Sequence, residues 1–383
     1  MKKFWKKIPY FLKKILLLLV FSRILLIIIG LLTRNTLPLQ DGQDLLFSTN
    51  PLIDMWSYWD SGFYIGIAQN WYQHISALDL TKEAILIKRD FAFLPLYPFL
   101  ILVFSKLLIL DAVSAAIVVS NICLYIAGIF IFKITSKLYD EKSAYLAVSL
   151  LFFFPTTFFY SSVLTESLFM MLLTLIFYFA LKKQWLWAGF TGIFLSLTKL
   201  LGVFVIIPLL IEYYNHKKES GEPFDFKIIY LFLPIVGILT YLYLNYFYTQ
   251  SYFTFSEIQS IYWGRETGIF LLHMIEGMTT KNPFLIFNYW YTIGILLVVL
   301  YGWFKLNIRF SLVALSLLLI FVPLSTSLWS MFRYTSVIFP VFIILGHILS
   351  QKSNLQSMYI YALIFILTGF LTVQWAVGSQ FIM

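Results

Sequence analysis

Nine apolar runs, each 17 to 22 residues long, follow one another along the chain: 11–32, 112–132, 143–160, 166–182, 227–247, 284–304, 308–328, 334–350 and 357–377. An α-helix rises 1.5 Å per residue, so about 20 apolar residues cross the roughly 30 Å hydrocarbon core of a bilayer. Inside lipid every backbone amide must find a partner, which favours helices for runs of this length. Charged residues make up 12% of the 383 and hydrophobic residues 61%, whereas a soluble domain carries about 25% charged residues. This chain cannot cover itself with a water-facing surface. No polar stretch is long enough to fold alone, and the longest, 33–91, is interrupted by aromatics. The expected architecture is an all-α polytopic membrane protein, with 1–383 forming a single membrane-embedded domain.

Two more apolar stretches are ambiguous. Segment 186–213 is long for one helix and is broken by Thr198, Lys199 and Gly202. Segment 92–110 contains Lys106 and the run Phe93-Leu-Pro-Leu-Tyr-Pro98. The preference for lysine and arginine on the cytoplasmic side decides both. If 186–213 is two short helices turning at Lys199, and 92–110 lies on the surface, 17 of the 27 basic residues fall inside. Nine fall outside and Arg23 lies within a span. Were 92–110 to cross, 11 of those inner charges would flip outward. The first arrangement predicts about eleven spans, at some 20 residues each, with the N-terminus cytoplasmic. Two large loops then face outward, 33–110 with juxtamembrane helices and 248–283, so function is expected on the outer face of the cell membrane.

The same patterning settles several smaller points. The lysine-rich start precedes an apolar run, Ile15–Leu32, that is longer than a usual signal core and lacks a small-x-small cleavage site, so it reads as a first span. Arg23 inside it must face protein or water. The net charge of +9 reflects lysines between apolar segments, so nucleic acid is not an expected partner. One cysteine, Cys123, excludes an intrachain disulfide.

Chemistry is sought where polar residues stand at costly positions. The first outer loop carries aromatics at 56, 58, 59, 63, 64, 71 and 72, which suit a helix at headgroup level. Asp60 sits among them. A carboxylate there is expensive, and desolvation moves it towards the range of a useful general base. Asp54 is a weaker candidate of the same kind. Thr165-Glu166 reads as a helix N-terminus, where a carboxylate meets the dipole favourably. Lys199 at the turn of 186–213 either snorkels or holds an anion. Arg333, beside Tyr334, is either a structural ion pair or a phosphate ligand. His74, His216, His273 and His347 lack metal-ligand spacing, and no nucleotide-binding or nucleophile-elbow motif is present. No metal or cofactor is expected. A lipid or lipid-linked-sugar transporter is the competing class, although paired intramembrane charges and an inverted repeat are missing.

Taken in order, Trp59-Asp60 with Ile67-Ala68 and Tyr72, Phe93-Leu-Pro-Leu-Tyr-Pro98, Phe154-Pro155, Thr165-Glu166-Ser167, Ala188-Gly189, Leu197-Thr198-Lys199 with Gly202, and Arg333-Tyr334 with Phe339-Pro340 resemble the PIG-V-like family. That family is related to GPI mannosyltransferase 2, within the GT-C class of membrane glycosyltransferases. The resemblance implies a GT-C-like fold and transfer of a hexose, often mannose, from a polyprenyl-phosphate donor to a glycan, lipid or protein acceptor. It implies Asp60 as base and Lys199 and Arg333 at the donor phosphate, and it leaves Glu166 open between acceptor binding and structure; Trp59, Tyr64, Glu166 and Tyr334 are the further substrate-binding candidates. The family more often has an arginine followed by a small residue or proline where this chain has Lys199-Leu200.

Overall fold

A computed structural model describes residues 9–40, 47–76, 81, 87–265 and 268–379. These residues form helices and connecting loops, with no strand among them. The helices between the first two long helices are α2 (Pro51–Asp54), α3 (Ser61–Asn70) and α4 (Leu96–Leu108). They follow α1 (Tyr10–Thr36) and precede α5 (Ala112–Leu138) and α6 (Glu141–Phe153). Next come α7 (Glu166–Leu181), α8 (Trp185–Ser196), α9 (Ile206–Ser220) and α10 (Pro234–Thr249), the last preceded by a 3-10 turn over Phe226–Phe232. The second outer loop holds α11 (Thr254–Trp263) and α12 (Phe270–Thr279). The chain then runs through α13 (Pro283–Leu306), α14 (Phe310–Leu324), the short α15 (Met331–Ser336), α16 (Phe339–Ser350) and α17 (Asn354–Ala376).

Among the described residues, five stretches are long and apolar enough to cross a bilayer unaided: α1, α5, Phe226–Thr249, α13 and α17. The other expected spans correspond to shorter helices, and prolines account for much of the shortening. The run 143–160 stops being α-helical at Phe153, because Pro155 offers no amide to continue the ladder. The run 308–328 ends at Leu324, one residue past Pro323. The run 334–350 is split: its first residues end α15 at Ser336, and a second helix begins at Phe339 with Pro340 in the first turn. Segment 186–213 does divide into two helices, turning through Leu197–Lys199 and a 3-10 stretch over Leu200–Val205. Segment 92–110 gives α4, 13 residues long.

Helix ends collect at two opposite levels. At one level Lys137 Nζ donates to Leu181 O (2.5 Å), Lys142 Nζ to Ser350 O (2.6 Å) and Arg309 Nη1 to Glu212 Oε1 (2.5 Å). At the other, Trp375 Nε1 donates to Met55 O (2.8 Å), Tyr58 Oη to Ala376 O (2.8 Å) and Val163 N to Trp56 O (2.9 Å). The contacts named at the first level are the ones made by lysine and arginine. The described chain is all-α, with several helices long and apolar enough to cross a membrane.

Arg23 faces protein, as expected. It reaches across α1 to donate to Thr157 O (3.0 Å), Ser161 Oγ (2.9 Å) and Phe152 O (2.9 Å), bracing the irregular stretch after α6. Gly202 marks a close approach: a Cβ added there would lie 2.5 Å from Leu195 O, so only glycine lets the turn after Lys199 fold back on α8.

Candidate active site

The irregular segments at the non-basic level surround a cavity of about 610 Å³. Asp60 enters from the first outer loop. It occupies the N-cap position of α3, yet its carboxylate makes no capping bond and points elsewhere. Trp59, immediately before it, has φ of +49°, a left-handed conformation that a tryptophan rarely adopts. Its ring is held in T-shaped contact with Trp375, centroids 5.0 Å apart. Strain of this kind is retained where surrounding packing over-determines the backbone.

Arg333 comes from α15. Ser330, at φ +65°, turns the chain into this helix, and the buried Asn288 Oδ1 accepts from Phe332 N at 2.7 Å, fixing its position. Lys199 sits on the turn between α8 and α9 in extended conformation. Glu166 is the first residue of α7 and is fully buried.

These four groups form one network. Arg333 Nη1 lies 2.5 Å from Asp60 Oδ2, Arg333 Nε lies 2.6 Å from Glu166 Oε1, and Lys199 Nζ lies 2.7 Å from that same Glu166 oxygen. Burial opposes the charge on Arg333, and Glu166 and Asp60 more than restore it, raising its affinity for the proton. Asp60 therefore does not stand alone among rings, as its sequence setting suggested; it is ion-paired. Thr165 makes no side-chain capping bond, so Glu166 serves as the anion between two cations and not as half of a cap. Asp54 belongs elsewhere. It pairs with Arg34 at 3.0 Å and accepts from Phe47 N and Ser48 N, tying the first loop to α1 outside the cavity lining.

Trp59, Asp60, Tyr64, Lys199, Arg333 and Tyr334 all line the cavity, while Glu166 lies beneath it. Tyr64 is held edge-on between Phe93 and Tyr97, with centroids 5.2 and 5.3 Å away. Sequence reasoning overlooked the contribution of the second outer loop. Arg265 Nη1 donates to Tyr334 Oη at 2.6 Å, and Gln259 and Trp263 line the same wall. The available signal was charge: Arg265 is one of the nine basic residues assigned outside.

The arrangement offers a carboxylate with one accessible oxygen, since Asp60 Oδ1 accepts no hydrogen bond among the described residues. Arg333 keeps its Nη2 hydrogens free of protein acceptors among those residues. On the remaining side the cavity is apolar, lined by Leu200, Leu201 and Phe204 and by Val322 and Pro323 of α14. A base, two adjacent cations and an apolar flank suit an amphiphilic anion and a hydroxyl compound.

No family model matches the chain, and no curated protein matches it. Among solved structures the chain is similar to ArnT from Cupriavidus metallidurans bound to undecaprenyl phosphate, with a TM-score of 0.57 at 13% identity. The match covers 90% of this chain and 62% of that one. ArnT in the apo state gives a TM-score of 0.55 at 13% identity, covering 90% and 61%. A more distant likeness runs to the Archaeoglobus fulgidus oligosaccharyltransferase tethered with an acceptor peptide, with a TM-score of 0.47, 11% identity and coverage of 94% and 55%. The chain thus spans about three-fifths of the length of the ArnT chains and shares their GT-C fold.

Proposed function

We propose that this protein is a membrane glycosyltransferase that moves a hexose from a polyprenyl-phosphate donor to an acceptor hydroxyl. The observation that carries the reading is the convergence of Asp60, Lys199 and Arg333, from three distant parts of the chain, on one cavity with an apolar flank. The fold shared with ArnT, seen with undecaprenyl phosphate bound, supports it. The ordered motifs that resemble PIG-V-like proteins favour mannose as the sugar, and the positive-inside arrangement favours the outer face of the cell membrane.

In this scheme the polyprenyl chain lies along the apolar flank and its phosphate lies at Arg333 and Lys199. The acceptor oxygen attacks the anomeric carbon. The bond from that carbon to the phosphate oxygen breaks, its electron pair leaving with polyprenyl phosphate. Asp60 takes the acceptor proton on the carboxylate oxygen that Arg333 leaves open. Charge growing on the leaving phosphate is met by the two cations, already fixed in place by Glu166. Arg333 links both ends of the reaction, since one guanidinium touches the base and faces the phosphate.

The test uses the purified protein, a panel of polyprenyl-phosphate hexoses that includes mannose, an acceptor extract, and Asp60→Asn as control. Release of polyprenyl phosphate that depends on Asp60 is the expected result. Movement of the lipid-linked sugar across proteoliposomes without release would replace the enzyme with a transporter.

A further inference from the structure

The wall of the cavity formed by α11 has no part in the chemistry just described, yet it is tied down at several points. At its start Thr249 and Thr254 hydroxyls lie 2.7 Å apart and Phe255 N donates to Asn245 Oδ1 at 3.2 Å. Beside it, Arg89 hydrogen-bonds the Tyr262 hydroxyl and lies over the Tyr262 ring. Just beyond its end, Arg265 is bonded to Tyr334, and the Tyr334 ring centroid stands 5.4 Å from Lys199 Nζ. A helix fastened at both ends and along one side presents a fixed face.

That face consists of Phe255, Ser256, Gln259, Tyr262 and Trp263, all of which line the cavity. Their positions i, i+1, i+4, i+7 and i+8 share one side of a helix. Trp263 is wedged in T-shaped contact with Phe63 and Phe93, which stack on each other at 4.5 Å, so its indole cannot swing aside. Gln259 Oε1 is buried and has no hydrogen-bond partner among the described residues. An orphaned side-chain carbonyl in a cavity wall calls for a donor from the occupant. An amide next to a fixed aromatic ring is the pairing that holds a pyranose. The ring packs against the apolar carbon face of the sugar while the amide takes hydroxyls that would otherwise be lost from water.

We propose that the Gln259–Trp263 face of α11 is a pyranose subsite. This inference deepens the glycosyltransferase reading and rests on it. The chemistry is common to the hexose of the donor and to a saccharide acceptor, and the Trp263 end of the face adjoins both Phe63, three residues past Asp60, and, through Arg265, the cation cluster.

The experiment measures binding to the full chain in detergent or nanodiscs of three ligands: polyprenyl-phosphate mannose, bare polyprenyl phosphate, and a soluble mannoside. The wild type should bind the sugar-bearing lipid more tightly than the bare one. Gln259→Leu and Trp263→Phe should lose roughly tenfold of that preference, the scale of a buried polar group left unpaired, with bare polyprenyl phosphate bound as before. If the preference survives but mannoside binding falls tenfold, the subsite belongs to a saccharide acceptor. If neither ligand distinguishes the variants from wild type, the subsite does not exist. A wild type that binds neither lipid, while still binding the mannoside through Gln259, would overturn the donor reading and leave the subsite standing. Gln259→Leu is the decisive variant because Gln259 Oε1 accepts no hydrogen bond among the described residues that its loss would break.

Discussion

Arg333 donates from Nε to Glu166 Oε1 across 2.6 Å, although 167 positions separate the two residues. The same carboxylate oxygen accepts from Lys199 at 2.7 Å. Glu166 is fully buried, and the two cations are only slightly exposed, at 15% and 13% of their side-chain surface. Removing the anion from such a set strands two desolvated charges, a loss of about 3–5 kcal/mol when a buried pair is broken. Glu166→Gln should therefore lower the thermal unfolding temperature and turnover together, whereas Glu166→Asp should recover part of both. A Gln variant with wild-type stability would show that solvent, not Glu166, balances the cations.

Asp60→Asn keeps the size of the side chain and removes its basicity. Turnover should fall by roughly 10²–10⁴, the usual worth of general-base assistance. Donor binding and the unfolding temperature should change far less, because Asp60 is the more exposed partner of its ion pair, at 24%. Single-turnover rates with saturating donor separate the two effects. A variant with near-normal rates would remove Asp60 from the role of base.

The pair Arg34–Asp54 tests the opposite case, a charge that holds structure without touching substrate. Both side chains are buried, at 4% and 1%, and Asp54 also accepts two backbone amides. Asp54→Ala should cost about 3–5 kcal/mol of stability while leaving KM for the donor unchanged in whatever protein remains folded. An altered KM would mean that the first loop relays to the cavity.

Asp90 gives a pH dependence. Its burial raises the carboxyl from 3.8 to about 6, against the opposing pull of Arg89. A folded state that binds the proton more tightly than the unfolded chain loses stability as pH rises. The fall should run from pH 3.8 and level off just above pH 6. Unfolding temperatures across that range should decline in the wild type and decline less in Asp90→Asn. Equal slopes would assign the titration to another group.

Asp60, Lys199 and Arg333 were legible in the sequence for one physical reason: each is a charge where desolvation is expensive, so each demanded an explanation. The break at Thr198–Lys199 was legible because polar residues and Gly202 interrupt an apolar run too long for one helix. Arg265 and Gln259 carried no such signal, since polar residues in a polar loop cost nothing that a sequence displays. Glu166 was read from its local setting as a helix-start carboxylate. Its partners lie 33 and 167 positions away, and no spacing rule connects them. Helix lengths erred where hydropathy outlasted geometry. The run around Pro155 keeps its aromatics, Phe158 to Tyr160, after the backbone has lost the amide that α-helix requires.

The clasp between Trp375 and Met55 spans 320 positions, and Trp375 also closes one side of the cavity against Trp59. Membrane chains are made from the amino terminus onward. The loop bearing Asp60 is therefore made well before the ring that closes its cavity. Until α17 is in place, the Trp59 turn lacks the ring against which it is held. A nascent chain that has reached Arg333 carries every ionic group of the site and still lacks the wall that Trp375 supplies.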